Sequence, residues 1–244
     1  TAGSVKIDGS NLGSALAGTL AATRLSANTT SGFSIISFTG NVTSGTTLAH
    51  GLSVAPELVI VKKRGASGTS WISGYNVGGA TGGFSSPLQL NSSAAAIGSD
   101  VGYFNSANPS ASIITLGSYG DTNATTTMIA YAFHSVEGYS KVGSYEGNNN
   151  ADGTFVYTGF SPSFVMVKGV DTSDNWTMWD NKRPGYNVTN EELNADDPAA
   201  ESANAPDIDF TSNGFKRRDT AMNAASNYLY IAFAESPFKT SNAR

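Results

Sequence analysis

The sequence predicts an all-β protein built from two tandem, similar antiparallel β-sandwich modules of jelly-roll-like type, preceded by a short N-terminal arm. Three observations lead to this fold class. Charged residues make up only 14% of the 244 positions while glycine occupies 27, which is typical of short strands joined by tight turns rather than of helical bundles. Apolar and β-branched residues cluster in short runs, and the chain matches itself at a long offset.

The internal repeat defines the domain organisation. Residues 56–62 (PELVIVK) match residues 162–168 (PSFVMVK), and 162 minus 56 gives an offset of 106 residues. Further landmarks follow in the same order: Gly32-Phe33-Ser34 with Gly138-Tyr139-Ser140, Trp71 with Trp176, Leu90-Asn91 with Leu193-Asn194, Phe104 with Phe210, and residues 128–133 with 230–234. The matches predict an arm at residues 1–31, a first sandwich at 32–137 and a second at 138–244, each of ordinary sandwich size.

Strand signals recur within each copy. In the first copy, apolar and β-branched residues cluster at 33–38, 58–61, 112–116 and 128–133, and in the second at 154–157, 164–167, 176–179 and 228–233. The run at 58–61 is apolar on both pleat faces, which predicts a central strand that is covered on both sides. The basic triplet at 216–218 is interpreted as a solvated strand end.

The arm admits two interpretations. Leu12, Leu16 and Leu20 recur every four residues and would form one apolar stripe if the segment were helical. Nearby glycines weaken a helix, so a flexible linker is one interpretation. The other is an arm that docks on a neighbouring subunit and supports a homo-oligomer, of which a trimer is favoured.

Composition and motifs argue against several function classes. A net charge of −5 disfavours a nucleic-acid surface, and no apolar run approaches the roughly 20 residues of a membrane span. The absence of cysteine excludes disulfides and thiolate metal sites. The two histidines, His50 and His134, lie in no metal-binding or nucleophile motif, so we expect no metal, no cofactor and no enzymatic activity.

The tryptophans suggest a contact surface. Trp176 is matched by Trp71 and is therefore expected in the core, whereas Trp179 aligns with Gly74. Side chains three residues apart on a strand point to opposite faces, which predicts Trp179 on the outer face. With Lys182, Arg183 and Tyr186 it would form a surface for a ligand or a partner. The alternative is that Trp179 packs under the following loop or between the modules.

Several segments also resemble one family. Residues 136–148 (VEGYSKVGSYEGN), 154–160 (TFVYTGF), 162–168 (PSFVMVK) and 231–238 (IAFAESPF) resemble a domain of unknown function found in predicted tail and fibre proteins of marine and cyanobacterial bacteriophages.

This resemblance implies a location in the virion, with other virion proteins as partners. It implies a tail-fibre or receptor-binding protein that attaches to a host surface ligand, for which a cell-surface glycan is a candidate. The alternative is a capsid or tail decoration (cement) protein that contacts only other virion subunits. A secreted carbohydrate-active enzyme is the third and least favoured interpretation.

Overall fold

The computed structural model describes residues 5–12, 16–65, 68–183, 186–203 and 207–238. These residues form many β-strands and only two helices of four residues each, so the predicted all-β class is confirmed. None of the helices in the described ranges is long and apolar enough to cross a membrane. The chain divides into two compact units, the first with residues 1–76, 82–90 and 96–134 and the second with residues 77–81, 91–95 and 135–244.

The first unit contains both helices. Its elements, in chain order, are β1 (Val5–Ile7), β2 (Ser10–Asn11), β3 (Ala22–Asn28), β4 (Phe33–Thr39), β5 (Thr46–Ala49), β6 (Leu58–Lys63), β7 (Trp71–Tyr75), β8 (Leu88–Gln89), α1 (Val101–Phe104), β9 (Ile113–Leu116), α2 (Gly120–Asn123) and β10 (Thr127–Phe133).

The second unit continues with strands alone in its described part. They are β11 (Ser140–Glu146), β12 (Phe155–Tyr157), β13 (Pro162–Gly169), β14 (Thr177–Asp180), β15 (Leu193–Asn194), β16 (Ile208–Thr211), β17 (Gly214–Arg217) and β18 (Asn227–Ala234).

Two sheets enclose the core of the first unit. The larger has the order β2-β1-β3-β4-β10-β6-β7-β8, and β5 pairs with β9 in the smaller. The strand pairs of the larger sheet are antiparallel except β1 with β3. In β4 the buried Ser34, Ile36 and Phe38 alternate with more exposed residues, as a strand with one core face requires. All four residues of the 58–61 run are buried, which confirms the prediction of a central strand.

The second unit repeats this strand order. Its larger sheet is β11-β18-β13-β14-β15, which follows the same order as β4-β10-β6-β7-β8 of the first unit when strands are matched by the sequence repeat. The smaller sheet, β12-β17-β16, contains β12 and β17 where the first unit has β5 and β9. All its pairs are antiparallel. The buried core includes Tyr145, Val165, Val167, Trp179, Phe215 and Tyr230.

The described part of residues 1–31 belongs to the first unit and contains strands, so the helical stripe is wrong. β3 pairs with β4, and Leu20 forms a parallel bridge with Leu48. Leu16 and Leu20 pack against the core of the first unit, and the half-buried Leu12 donates its N–H to the oxygen of Val5 at 3.0 Å. Residues 13–15, which the stripe also spans, lie outside the described residues. Because Leu16 and Leu20 find apolar partners in their own unit, their burial does not require a neighbouring subunit.

A fully buried asparagine holds the loop after β4 in the first unit and the loop after β11 in the second. In the first unit, Asn123 accepts the N–H of Asn41 on its Oδ1 at 2.9 Å. In the second, Asn223 donates from Nδ2 to Oδ1 of Asn148 at 2.8 Å. A buried amide with bonded partners specifies one loop conformation, because a displaced loop would leave it unsatisfied.

Candidate functional site

The second unit has a surface groove that brings together four separate parts of the chain. Its volume is about 260 Å³. We call it the Tyr186 groove, and it is lined by Ser161, Asn181, Lys182, Tyr186, Asn187, Thr189, Phe210 and Glu235. It lies among the loop before β13, the loop after β14, strand β16 and the residues after β18.

Hydrogen bonds hold the groove wall beside β16. The side chain of Asn187 donates to the oxygen of Phe210 at 2.6 Å and accepts the N–H of Phe210 at 2.9 Å. Two residues on, Thr189 donates its N–H to the oxygen of Ile208 at 2.9 Å and accepts the N–H of Ile208 at 3.1 Å. Residues 187 and 189, which follow Tyr186, are therefore held to β16 by paired bonds.

The lining combines one exposed ring with polar groups. Tyr186 is 80% exposed. Lys182 and Glu235 form an exposed ion pair with 3.1 Å between Nζ and Oε1. The Oδ1 atom of Asn181 is buried and has no hydrogen-bond partner among the described residues. An aromatic face beside amide and charged groups suits a ligand that offers both an apolar face and hydroxyl groups.

The placement of Trp179 corrects the sequence prediction. Trp179 is fully buried in the core of the second unit, so it lies on the inner face and cannot contact a ligand at the surface. Trp176 lies just before β14 and not within it, so strand alternation does not relate the two tryptophans, and a spacing pattern does not say which face of β14 is the inner one. Trp176 is also buried, at 2% exposure, and lies outside this core cluster.

The other predicted contact residues remain at or near the surface. Lys182 and Tyr186 both line the groove. Arg183 is partly buried and does not line it, because its guanidinium is bound by Asp180 at 2.7 Å and by Glu201. Arg183 thus holds the loop after β14, while a role in binding stays a prediction for Lys182 and Tyr186.

A buried ionic cluster surrounds Trp179. Its indole N–H donates to Asp207 at 3.3 Å, and the guanidinium of Arg217 lies 4.5 Å from the ring centroid. Arg217 also donates to Asp219 at 2.8 Å, whereas its Nε and Nη1 have no partner among the described residues. Burial raises the pKa of Asp207 to about 7, against the opposing effects of the Trp179 hydrogen bond and the Arg217 charge. Asp207 also donates its backbone N–H to Thr189 of the groove at 3.2 Å.

One buried lysine has a structural explanation. Lys168 is fully buried, and its ammonium group donates to the backbone oxygens of Asp174 at 2.8 Å, Ser93 at 3.1 Å and Thr172 at 3.4 Å. Burial lowers its pKa to about 8, although the nearby charges of Asp174 and Asp196 oppose this. Three carbonyl acceptors match the three N–H donors of an ammonium group, so Lys168 holds loops together rather than serving as a free nucleophile.

Sequence reasoning missed most of the groove. Asn187, Phe210, Glu235 and Ser161 come from distant parts of the chain, and no local motif marks them. The one signal in the sequence was the closeness of Lys182 and Tyr186 along the chain, which identified the wall formed by the loop after β14. The residues that the structure describes contain no group of three or more His, Asp or Glu side chains able to hold a metal ion.

Comparison with known families places the chain. The sequence model of a family described as a domain of unknown function (DUF7483) matches residues 8–237, nearly the whole chain, so the protein belongs to that family. No curated protein and no solved structure matches it.

Proposed function

We propose that this member of the DUF7483 family is a non-enzymatic bacteriophage virion protein of the tail-fibre or receptor-binding type. Its role would be to attach the particle to a glycan on the host surface. The likeness of residues 136–148, 154–160, 162–168 and 231–238 to predicted phage tail proteins supports the virion location. The Tyr186 groove supports the glycan.

The observation that carries the proposal is the exposure of Tyr186 next to fixed polar groups. A ring that is 80% exposed offers an apolar face for a sugar ring, and the neighbouring amides and the Lys182–Glu235 pair offer donors and acceptors for its hydroxyls. The single carboxylate of the lining, Glu235, is paired with Lys182. Glycoside hydrolysis commonly needs two carboxyl groups, so the groove favours binding over cleavage.

Binding to immobilised bacterial surface polysaccharides, both neutral and acidic, tests the proposal. Tyr186→Ala is expected to weaken binding roughly tenfold or more, because a ring at the centre of a contact dominates its energetics. Tyr119→Ala is the matched control, since Tyr119 is 46% exposed but lies in the first unit. Binding to none of the polysaccharides, equal losses from both variants, or release of new reducing ends from the polysaccharide would overturn the proposal.

A decoration or cement role is the second candidate. It is favoured by two large exposed aromatic side chains, Phe155 at 46% and Tyr157 at 65%, because such exposed apolar groups are typical of protein interfaces. Imaging of labelled particles separates the two roles: many copies on the capsid lattice favour decoration, and a few copies at the tail tip favour attachment.

A further inference from the structure

The outer edge of β12 is open. In the three-stranded sheet β12-β17-β16, β12 is an edge strand, and no described residue pairs with its other side. Arg217 donates its N–H to Thr154 at 3.1 Å and Thr158 donates to Asn213 at 3.0 Å. In an antiparallel ladder this register turns the backbone N–H and C=O groups of Phe155 and Tyr157 away from β17, toward the open edge.

The equivalent edge of the first unit is covered. The match is set by Gly51-Leu52 and Gly159-Phe160, in which both glycines have positive φ (74° and 88°) and both following residues are buried. This match makes β5 of the first unit the counterpart of β12 of the second, with Thr47 equivalent to Phe155 and Ala49 equivalent to Tyr157.

The N-terminal segment covers β5. Leu20 donates its N–H to the oxygen of Thr47 at 2.9 Å, and Thr47 donates its N–H to Oγ1 of Thr19 at 2.9 Å. The structure therefore contains one example of this edge with another segment of the chain hydrogen-bonded to it.

The side chains at the two edges differ in size and exposure. The outward positions of β5 are Thr47 and Ala49, both small, and Ala49 is 4% exposed under the covering segment. At the equivalent positions β12 has Phe155 and Tyr157, which are 46% and 65% exposed. Uncovered edges are usually blunted by charged residues or proline, and residues 154–158 contain neither.

The sequence of the edge is nearly symmetric about its centre. Residues 154–158 read Thr-Phe-Val-Tyr-Thr, so reversing the strand exchanges threonine with threonine and one aromatic residue with another. We propose that the β12 edges of two copies of this chain pair antiparallel about a two-fold axis at Val156, joining two three-stranded sheets into one of six strands. Phe155 of each copy then faces Tyr157 of the other as a hydrogen-bonded pair, which satisfies the outward backbone groups of both residues.

Charge at this sheet is compatible with a second copy. The bases next to the edge are paired with acids, Lys216 with Asp152 at 2.5 Å and Arg218 with both Asp209 and Asp152. The two bases and two acids balance, and no charge lies on residues 154–158 themselves. Two copies therefore meet without like-charge repulsion, and aromatic residues directly opposite each other stabilise antiparallel pairs. This inference does not rest on the proposed function.

Sedimentation of the full chain over a wide range of concentration tests the pairing. We expect the mass to rise from one copy to two. Tyr157→Lys is expected to raise the dissociation constant roughly tenfold or more, because a lysine blunts the edge. Tyr186→Lys is the matched control, since it makes the same change at another exposed tyrosine of the second unit and is expected to leave dimerisation unchanged. A single copy at all concentrations, a trimer, or equal effects of both variants would overturn the proposal.

Single cysteines test the register, because the chain has no cysteine of its own. Residues 155 and 157 of opposite copies would have Cα atoms about 5.5 Å apart, within disulfide range. Residues 155 and 155 would be about 8 Å apart, which is too far. Mixed Phe155→Cys and Tyr157→Cys chains are therefore expected to cross-link on oxidation, while either alone stays uncrosslinked. Cross-linking of like with like, or no cross-linking of the mixture, would contradict this pairing.

Discussion

The two units have the same order of five strands but differ in the side chains that occupy their cores. In both, five strands follow the same order and a buried asparagine holds the loop after the first of them. The difference is clearest opposite Val59 in the first unit and Val165 in the second. Val59 pairs with Gly74, and Val165 pairs with Trp179.

The space that the indole fills in the second unit is filled from elsewhere in the first. A Cβ atom on Gly74 would lie 2.5 Å from the ring of Phe84 and 2.9 Å from that of Phe104. Both rings are fully buried and pack edge to face at 5.0 Å. A glycine at a core position thus indicates that the aromatic group comes from another segment, rather than that the position faces solvent.

The largest test of this comparison is Trp179→Ala. It is expected to destabilise the second unit by about 3–5 kcal/mol, because it leaves a large cavity and removes the ring that packs against Arg217. Denaturant unfolding followed by circular dichroism measures the loss. Trp71→Ala is the control: Trp71 is only half-buried and stacks on Tyr131 at 6.4 Å, so its loss should be clearly smaller. Equal losses would contradict the core position of Trp179.

The buried asparagines should behave alike if the two units are equivalent. Asn123→Ala and Asn223→Ala are each expected to cost about 3 kcal/mol, since each leaves several buried backbone groups without partners. Hydrogen exchange measured by mass spectrometry should show loosening at residues 40–45 for the first variant and at residues 147–154 for the second. A large loss of stability from only one of the two variants would contradict the equivalence of the two units.

The two units should respond to pH in opposite directions. The pKa of Asp207 is raised from about 3.8 to about 7, so the folded second unit binds the proton more tightly than the unfolded chain. Its stabilising contribution is full below pH 3.8 and is lost as pH rises through about 7. The loss is on the order of 2 kcal/mol, because relaxation around the charged carboxylate relieves part of its cost. The neighbouring charges are Arg217, Asp219 and Glu192.

In the first unit, burial lowers the pKa of His50, with a smaller effect of His134 in the same direction and an opposing hydrogen bond to Ser110. The contribution of His50 is therefore present above pH 6.5 and is lost as pH falls through its folded pKa. Amide hydrogen exchange of each unit, measured between pH 4 and 8, reports the pH dependence of stability that Asp207 and His50 cause. Asp207→Asn should weaken the dependence in the second unit alone, where burial also raises the pKa of Glu192 and leaves a remaining dependence of the same sign. A change of the same sign in both units would refute the contrast.

The smallest effect concerns the cover on β5. Thr19→Ala removes the hydroxyl that accepts the N–H of Thr47 and should cost about 1 kcal/mol. Faster amide exchange at residues 47–49, without change at residues 155–157, is the expected result. Unchanged exchange in both strands would show that the hydroxyl pair does not hold the cover.

Some elements could be predicted from sequence and others could not. The buried run at 58–61 and strands β10 and β18 were predicted because their apolar residues are continuous. Strand β17 was not, because its Lys216 and Arg217 resemble a solvated end, yet Arg217 is 1% exposed between Trp179 and Asp219. A charged side chain shows no sign of burial in a sequence, because its partners come from other strands.

The sequence by itself determined the all-β class and the positions of several strands in each half, among them β4, β6, β10, β13 and β18. These depend on local preference, because apolar and β-branched residues cluster in them. Only the tertiary structure decided which face of β14 is inner, that Leu16 and Leu20 pack on their own unit, and which residues form the Tyr186 groove. The physical reason is that alternation along a strand separates two faces without labelling them, and the label comes from the other segments that pack there.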